Sequence, residues 1–172
     1  MSRSQPSVSF ALIVTGFFTA LLLSVEAHAA DTDANVSVTI ADRAKYDEVL
    51  AKHKGKVVLV DFWATWCATC VKQFPHTVEL SKKHNKMKFA VISVSMDDAE
   101  SKDHVLDFLK AKGAAFDNLL SKYEIGDEAF TAFDLGDSGV PHYKIYDAKG
   151  KLVKSLSKPD DIVKTIESLL KR

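Results

Sequence analysis

Beyond its first thirty-five residues the chain carries the hydrophobic periods of an alternating α/β domain. Residues 36–40 (Val-Ser-Val-Thr-Ile) alternate apolar and polar, as a half-buried strand does. Asp42 stands where a helix over residues 43–53 would be capped, with Tyr46, Val49 and Leu50 on one face and Gly55 ending it. Residues 57–63 (Val-Val-Leu-Val-Asp-Phe-Trp) are almost continuously apolar, the signature of a strand covered on both faces. A helix over residues 67–84 follows, bent where Pro75 removes a backbone hydrogen bond. Residues 89–95 read as a second buried strand, and residues 99–112 as an amphipathic helix with Val105, Phe108 and Leu109 inward. Strand–helix repetition of this kind predicts a parallel α/β core.

Between residues 113 and 138 the pattern weakens. Phe116, Leu119, Leu120, Tyr123, Phe130 and Phe133 need burial, yet neither period dominates, so short helical pieces and loops are expected there. The last third is clearer. Residues 143–147 and 152–156 flank Ala148-Lys149-Gly150, which predicts an antiparallel hairpin. Pro159 then opens a final helix with Ile162, Ile166, Leu169 and Leu170 as its buried stripe.

The N-terminus belongs to a different pattern. Arg3 precedes an uncharged apolar run over residues 8–25, and Ala27-His28-Ala29 places small residues where a signal peptidase cuts. Residues 1–29 are therefore expected to be a signal peptide, or else an N-terminal membrane anchor, since the run is just long enough to span. Residues 30–35 read as a flexible leader and residues 36–172 as one folded domain. Both alternatives place that domain outside the cytoplasm, periplasmic in a bacterium, with a membrane contact only if the segment is retained. Formal charge is balanced, 23 basic against 23 acidic residues. That gives no basic excess for a nucleic-acid partner.

Export sharpens the meaning of the cysteines. There are only two, Cys67 and Cys70. A structural framework would close long loops, whereas a bridge between residues three apart constrains the unfolded chain little. Cys67 falls at a predicted helix N-terminus, where free N–H groups favour a thiolate. Cys70, one turn on, is close enough to resolve a mixed disulfide formed by Cys67. C-x-x-C also occurs in zinc sites, but these want a second ligand pair. None is present, and the histidines show no ligand spacing except His76 and His84, eight apart and expected on different helix faces. No metal and no other cofactor is expected.

The run Val60-Asp61-Phe62-Trp63-Ala64-Thr65-Trp66-Cys67-Ala68-Thr69-Cys70, with Phe74-Pro75 and the later Gly139-Val140-Pro141, resembles the thioredoxin superfamily, and more closely its exported TlpA/ResA-type members. The resemblance covers residues 36–172. It implies a thioredoxin-like three-layer sandwich, a mixed sheet flanked by helices. It also implies a buried acid, Asp61, moving protons for Cys70, and a cis-proline, Pro141, facing the dithiol. Val140 would then offer backbone hydrogen bonds to a substrate segment and Trp66 a docking surface. Trp63 is either a second aromatic of the site or plain core. His142, beside Pro141, is either a neighbour of the thiolate or, in the favoured reading, a solvent-exposed bystander. The chain departs from the pattern at Ala68-Thr69, where many relatives carry proline second, and at Gln73, where ResA-type proteins often carry glutamate. Both leave the redox poise open.

The leading expectation is a reductant of disulfides in cysteine-containing exported proteins, of the cytochrome c maturation type, recharged by a membrane thiol donor. A net disulfide oxidant is the rival within the same chemistry. A redox-inactive peptide-binding or chaperone module is the rival outside it. A peroxidase fits poorly, because Thr65 precedes Cys67 by two positions rather than three.

Overall fold

The computed structural model describes residues 36–84, 86–123 and 126–171. The expected signal or anchor segment, residues 1–29, and the leader, residues 30–35, lie outside them. Six strands form one sheet: β1 (Thr39–Ala41), β2 (Val57–Trp63), β3 (Phe89–Ser95), β4 (Asp117–Ser121), β5 (His142–Tyr146) and β6 (Leu152–Leu156). Their order across the sheet is β1-β4-β3-β2-β5-β6. The β1–β4, β4–β3 and β3–β2 pairs are parallel, while β2–β5 and β5–β6 are antiparallel, so the sheet is mixed.

Every residue of β2 is buried, as its unbroken apolar run requires of a strand covered on both faces. Val58, Val60 and Phe62 point to one side, where they pack with Tyr46 and Val49 of α1 (Arg43–Lys52) and Ala129 of α4 (Asp127–Ala132). On the other side Val57 and Leu59 meet Leu80 of α2 (Ala68–Lys83) and Ile162 and Ile166 of α5 (Ile162–Leu170). Trp63, at the strand's end, packs with Phe74 and Val78 of α2 and with Val105 and Leu109 of α3 (Lys102–Lys112). The result is the expected three-layer α/β sandwich.

Local chemistry sets the helix ends. The Asp42 carboxylate accepts the Lys45 N–H at 2.9 Å, capping α1. α3 stops at Gly113, whose φ of +65° is the left-handed turn that glycine adopts freely. Ahead of α3 the expected helix tightens into a 3₁₀ turn over Ala99–Ser101. α5 begins at Ile162, three residues after Pro159, whose carbonyl accepts the Ile162 N–H at 3.0 Å.

One expectation fails. Residues 117–121 are a strand, β4, not a loop or helical piece. Its sequence, Asp-Asn-Leu-Leu-Ser, offers no alternation and only two apolar side chains. Its identity comes from outside itself, because β3 supplies one edge and β1 the other. Asn118, 3% exposed, holds this junction. Its Nδ2 donates to the carbonyls of Ser37, Ala114 and Phe116 at 3.2, 2.9 and 2.9 Å, and its Oδ1 accepts the Ser93 hydroxyl at 2.8 Å. The sheet edges are modest. β1 has three residues, and β6 pairs with β5 through an irregular register near Tyr146. No helix among the described residues is long and apolar enough to cross a membrane.

Replacing Asn118 by Ala leaves the Ser93 hydroxyl without its acceptor and removes a donor from the Ser37, Ala114 and Phe116 carbonyls, of which Ala114's keeps a second partner, the Phe116 N–H. Each unsatisfied buried group costs about 1–3 kcal/mol, so a loss of about 2–4 kcal/mol is expected, read from the shift of the urea midpoint. A shift below about 0.5 kcal/mol would show that β4 does not depend on this junction.

Candidate active site

The carboxyl end of β2 delivers Trp63 to a short turn, and α2 starts five residues later. The Cys67 N–H donates to the Ala64 carbonyl at 3.2 Å, closing that turn. Cys67 is the N-cap of α2 and Cys70 lies in its first turn, one residue earlier in the helix than a start at Cys67 would have put it. The two cysteines form a disulfide, with Cα atoms 5.2 Å apart. They are not equivalent. Cys67 is partly exposed, while Cys70 is 2% exposed and packed among Trp63, Phe74 and Val78. The Cys70 backbone N–H points at Cys67 Sγ at 3.2 Å. A sulfur that carries negative charge is stabilised by such a donor and by the helix terminus behind it.

Of the expected neighbours, Trp66 adjoins Cys67 in the chain and Val140 approaches it across the site. Trp66 is 56% exposed, the large aromatic surface beside the reachable sulfur. The Val140–Pro141 peptide is cis, and the Val140 carbonyl oxygen lies 3.8 Å from Cys67 Sγ. Val140 also packs against the apolar groups on both sides of the sheet end. Trp63 is core: 1% exposed, it stacks on Phe108 and packs against Phe74 with ring centres 4.7 and 4.6 Å apart.

Asp61 sits inside β2, 2% exposed, and pairs in register with Ser93 and Tyr143. Its Oδ2 accepts the Thr77 hydroxyl at 2.6 Å. Burial disfavours the charged carboxylate and outweighs that bond, so the acid is pushed up to about 7. Thr77 was not anticipated. It occupies the inward stripe of α2 with Cys70, Phe74 and Val78, and a polar residue at an otherwise apolar helical position was the available signal. Seven residues separate Thr77 from Cys70, about 10 Å along the helix. The carboxyl is therefore anchored well behind the dithiol on the same side of the sheet.

His142 corrects an expectation. It is 4% exposed, because β5 begins at this residue and pairs it with Phe62 in the middle of the sheet. Its Nε2 meets the Ser155 hydroxyl at 2.7 Å and its Nδ1 is buried without a partner. Burial first, and the neighbouring Lys144 ammonium second, hold it below the ordinary histidine range. Lys144 is itself buried and donates to the Phe133 carbonyl at 2.6 Å. Both face the side that holds α1, opposite α2. Among the described residues no group of three or more His, Cys, Asp or Glu side chains is placed to hold a metal ion.

A mixed sheet whose central strand leads into a disulfide at a helix N-terminus, approached by the carbonyl that precedes a cis-proline, defines a thioredoxin-fold dithiol protein. The Redoxin family model matches residues 31–170, and the chain belongs to that family, as a thioredoxin-superfamily protein of the TlpA/ResA type. It is 36% identical over 67 residues to thiol-disulfide oxidoreductase ResA of Bacillus subtilis, covering 39% of this chain and 36% of that protein. It is 39% identical over 70 residues to thioredoxin-like protein YneN of the same organism, covering 40% and 41%. The chain thus matches about two fifths of the length of these relatives. Among solved structures, the thioredoxin domain of a thiol-disulfide oxidoreductase from Bacteroides vulgatus superposes with a TM-score of 0.57 at 27% identity, covering 70% of this chain and 84% of that one. A thioredoxin-like superfamily protein gives 0.61 at 20% identity, covering 72% and 85%, a likeness of fold.

The raised Asp61 acid has a sign that unfolding can read. Between the unfolded carboxyl value near 4 and about 7, the folded state holds a proton that the unfolded state has released. Stability therefore falls as pH rises through that window. Asp61→Asn, which is never charged, is expected to stabilise the oxidised protein at pH 8 by an amount on the order of a few kcal/mol, and to differ little from it at pH 4. Unfolding midpoints in urea at the two pH values measure this. Equal differences at both would show that Asp61 is not held as the acid.

Proposed function

We propose that the chain is a thiol–disulfide oxidoreductase that exchanges disulfides of cysteine-containing exported proteins through Cys67 and Cys70. The observation that carries this reading is the asymmetry of the pair: one partly exposed sulfur at a helix N-cap, bridged to one buried sulfur behind it. The names of the similar proteins from Bacillus subtilis and Bacteroides vulgatus support it.

In the reduced state the Cys67 thiolate, favoured by the Cys70 N–H and the helix terminus, attacks one sulfur of a substrate disulfide. A Cys67–substrate disulfide forms and the second substrate sulfur leaves as a thiolate. Cys70 then gives up its proton and attacks Cys67 Sγ, forming the intramolecular bridge and expelling the first substrate sulfur. Two electrons pass to the substrate and the protein dithiol becomes the disulfide. Asp61, poised near neutrality, is the group on the Cys70 side of the sheet able to take up that proton, by way of intervening solvent. The Val140 carbonyl and the Trp66 ring, flanking Cys67, bind the extended segment on either side of the substrate cysteine.

The domain works outside the cytoplasm, periplasmic in a bacterium, and acts as a reductant of the cytochrome c maturation type, recharged by a membrane thiol donor. The apolar N-terminal segment supports the location. The TlpA/ResA likeness supports the direction of electron flow.

Insulin-disulfide reduction driven by dithiothreitol is expected to fall to background in Cys67→Ser. Cys70→Ser is expected to accumulate mixed disulfides with exported proteins, released by dithiothreitol and identifiable by mass. Full activity in Cys67→Ser would remove the exchange mechanism. A reduction potential near the thioredoxin value of about −270 mV supports the reductant, and one near about −120 mV overturns it in favour of a net oxidant.

A further inference from the structure

Asp97 is a buried carboxylate that neither the dithiol chemistry nor any ion pair among the described residues explains. It is 3% exposed, two residues beyond the end of β3. Its hydrogen-bond donors are neutral. Oδ1 and Oδ2 accept the Thr65 N–H at 3.2 and 3.0 Å, Oδ1 accepts the Thr65 hydroxyl at 2.5 Å, and Oδ2 accepts the Ser95 hydroxyl at 2.6 Å. The same Ser95 oxygen accepts the Asp97 N–H at 3.1 Å, which fixes the carboxylate's own backbone. Taking a charge out of water is expensive unless strong bonds replace its hydration. Bonds to an ionised acceptor are roughly twice as strong as neutral ones. Here most of that strength is spent on one residue, Thr65.

Thr65 is the middle of the turn between β2 and α2. On its β2 side the Met96 N–H donates to the Trp63 carbonyl at 2.7 Å, and on its α2 side the Cys67 N–H donates to the Ala64 carbonyl. Trp63 and Ser95 are paired in register, so β3 brings Asp97 alongside the turn. We propose that Asp97 is a positioning residue for the dithiol, acting through Thr65: the clamp fixes where Cys67 stands relative to Cys70 and to the Val140 carbonyl. This deepens the oxidoreductase reading and rests on it for its biological use.

The consequence is thermodynamic. Closing the Cys67–Cys70 bridge depends on the effective concentration of one sulfur at the other, and that is set by how firmly each is held. Cys70 is held by α2 and its packing. Cys67, at the N-cap, is held by the turn. Loosening the turn lowers the effective concentration and makes the disulfide easier to reduce.

The test is the equilibrium of protein dithiol with oxidised glutathione, giving protein disulfide and two reduced glutathiones, read by trapping free thiols and weighing the products. Thr65→Val keeps the N–H bond and loses the hydroxyl. Asp97→Asn loses the charge and one acceptor. Each is expected to lower the oxidation constant about 3- to 10-fold, tenfold corresponding to about 30 mV. Thr65→Ser keeps both bonds and is expected to stay within about 2-fold of the parent. Because both changes open one clamp, the double variant is expected to fall by clearly less than the product of the two single effects. Constants equal to the parent's in Thr65→Val and Asp97→Asn, with only the melting temperature lowered, overturn the proposal, as do effects that multiply in the double variant. If Asp97→Asn does not fold, the Thr65 pair decides: a lowered constant in Val restored in Ser supports the clamp, and two unchanged constants overturn it. The glutathione equilibrium needs no protein substrate, so a parent that fails to reduce insulin removes the proposed function without touching this result.

Discussion

Burial of β2 on both faces is the constraint from which the rest of the molecule follows. Seven consecutive covered residues force helices onto each side of the sheet, and they oblige the strand to end abruptly where the cover stops. At that end the chain must turn from a buried strand into the first turn of α2. The turn and the helix terminus together present Cys67 while Cys70 stays inside. The asymmetry of the two sulfurs is a direct result of packing: one belongs to the cap and one to the stripe that also carries Phe74 and Val78. Asp61 interrupts the apolar run at its fifth position. Its burial, which works against its charge, is also what brings its protonation into the neutral range.

Much of this was legible in the residues. The apolar run 57–63, the dithiol that follows it and the amphipathic stripe of α2 mark strand, site and helix by period alone. The hairpin of β5 and β6 was marked by Ala148-Lys149-Gly150. β4 was not legible, because Asp117–Ser121 gains its strand character from β3 and β1 rather than from its own alternation. His142 was misjudged for a related reason. A strand starting at Tyr143 leaves it outside the sheet, whereas β5 begins one residue earlier and its register against β2 places His142 under cover.

The polar residues that tie the site together were the least visible. Asp97 and Asp98 are adjacent aspartates after a strand, and sequence offers nothing to say that the first is buried while the second is exposed. The difference arises from the Trp63–Ser95 register, which aims one carboxylate at the Thr65 amide. Thr77 left a fainter trace, a hydroxyl in an apolar stripe, that becomes meaningful only once Asp61 is known to lie opposite. Pairwise polar contacts between distant segments carry no period, and so escape any reading based on one.

The sheet edges bear on how such a molecule keeps company. A strand of three residues, β1, and a strand whose register slips, β6, with Lys154 held in an ion pair to Asp161 at 2.8 Å, are poor templates for the backbone of another chain. Edges so short and irregular guard against a common hazard of sheet proteins, the growth of one molecule's sheet onto the backbone of another.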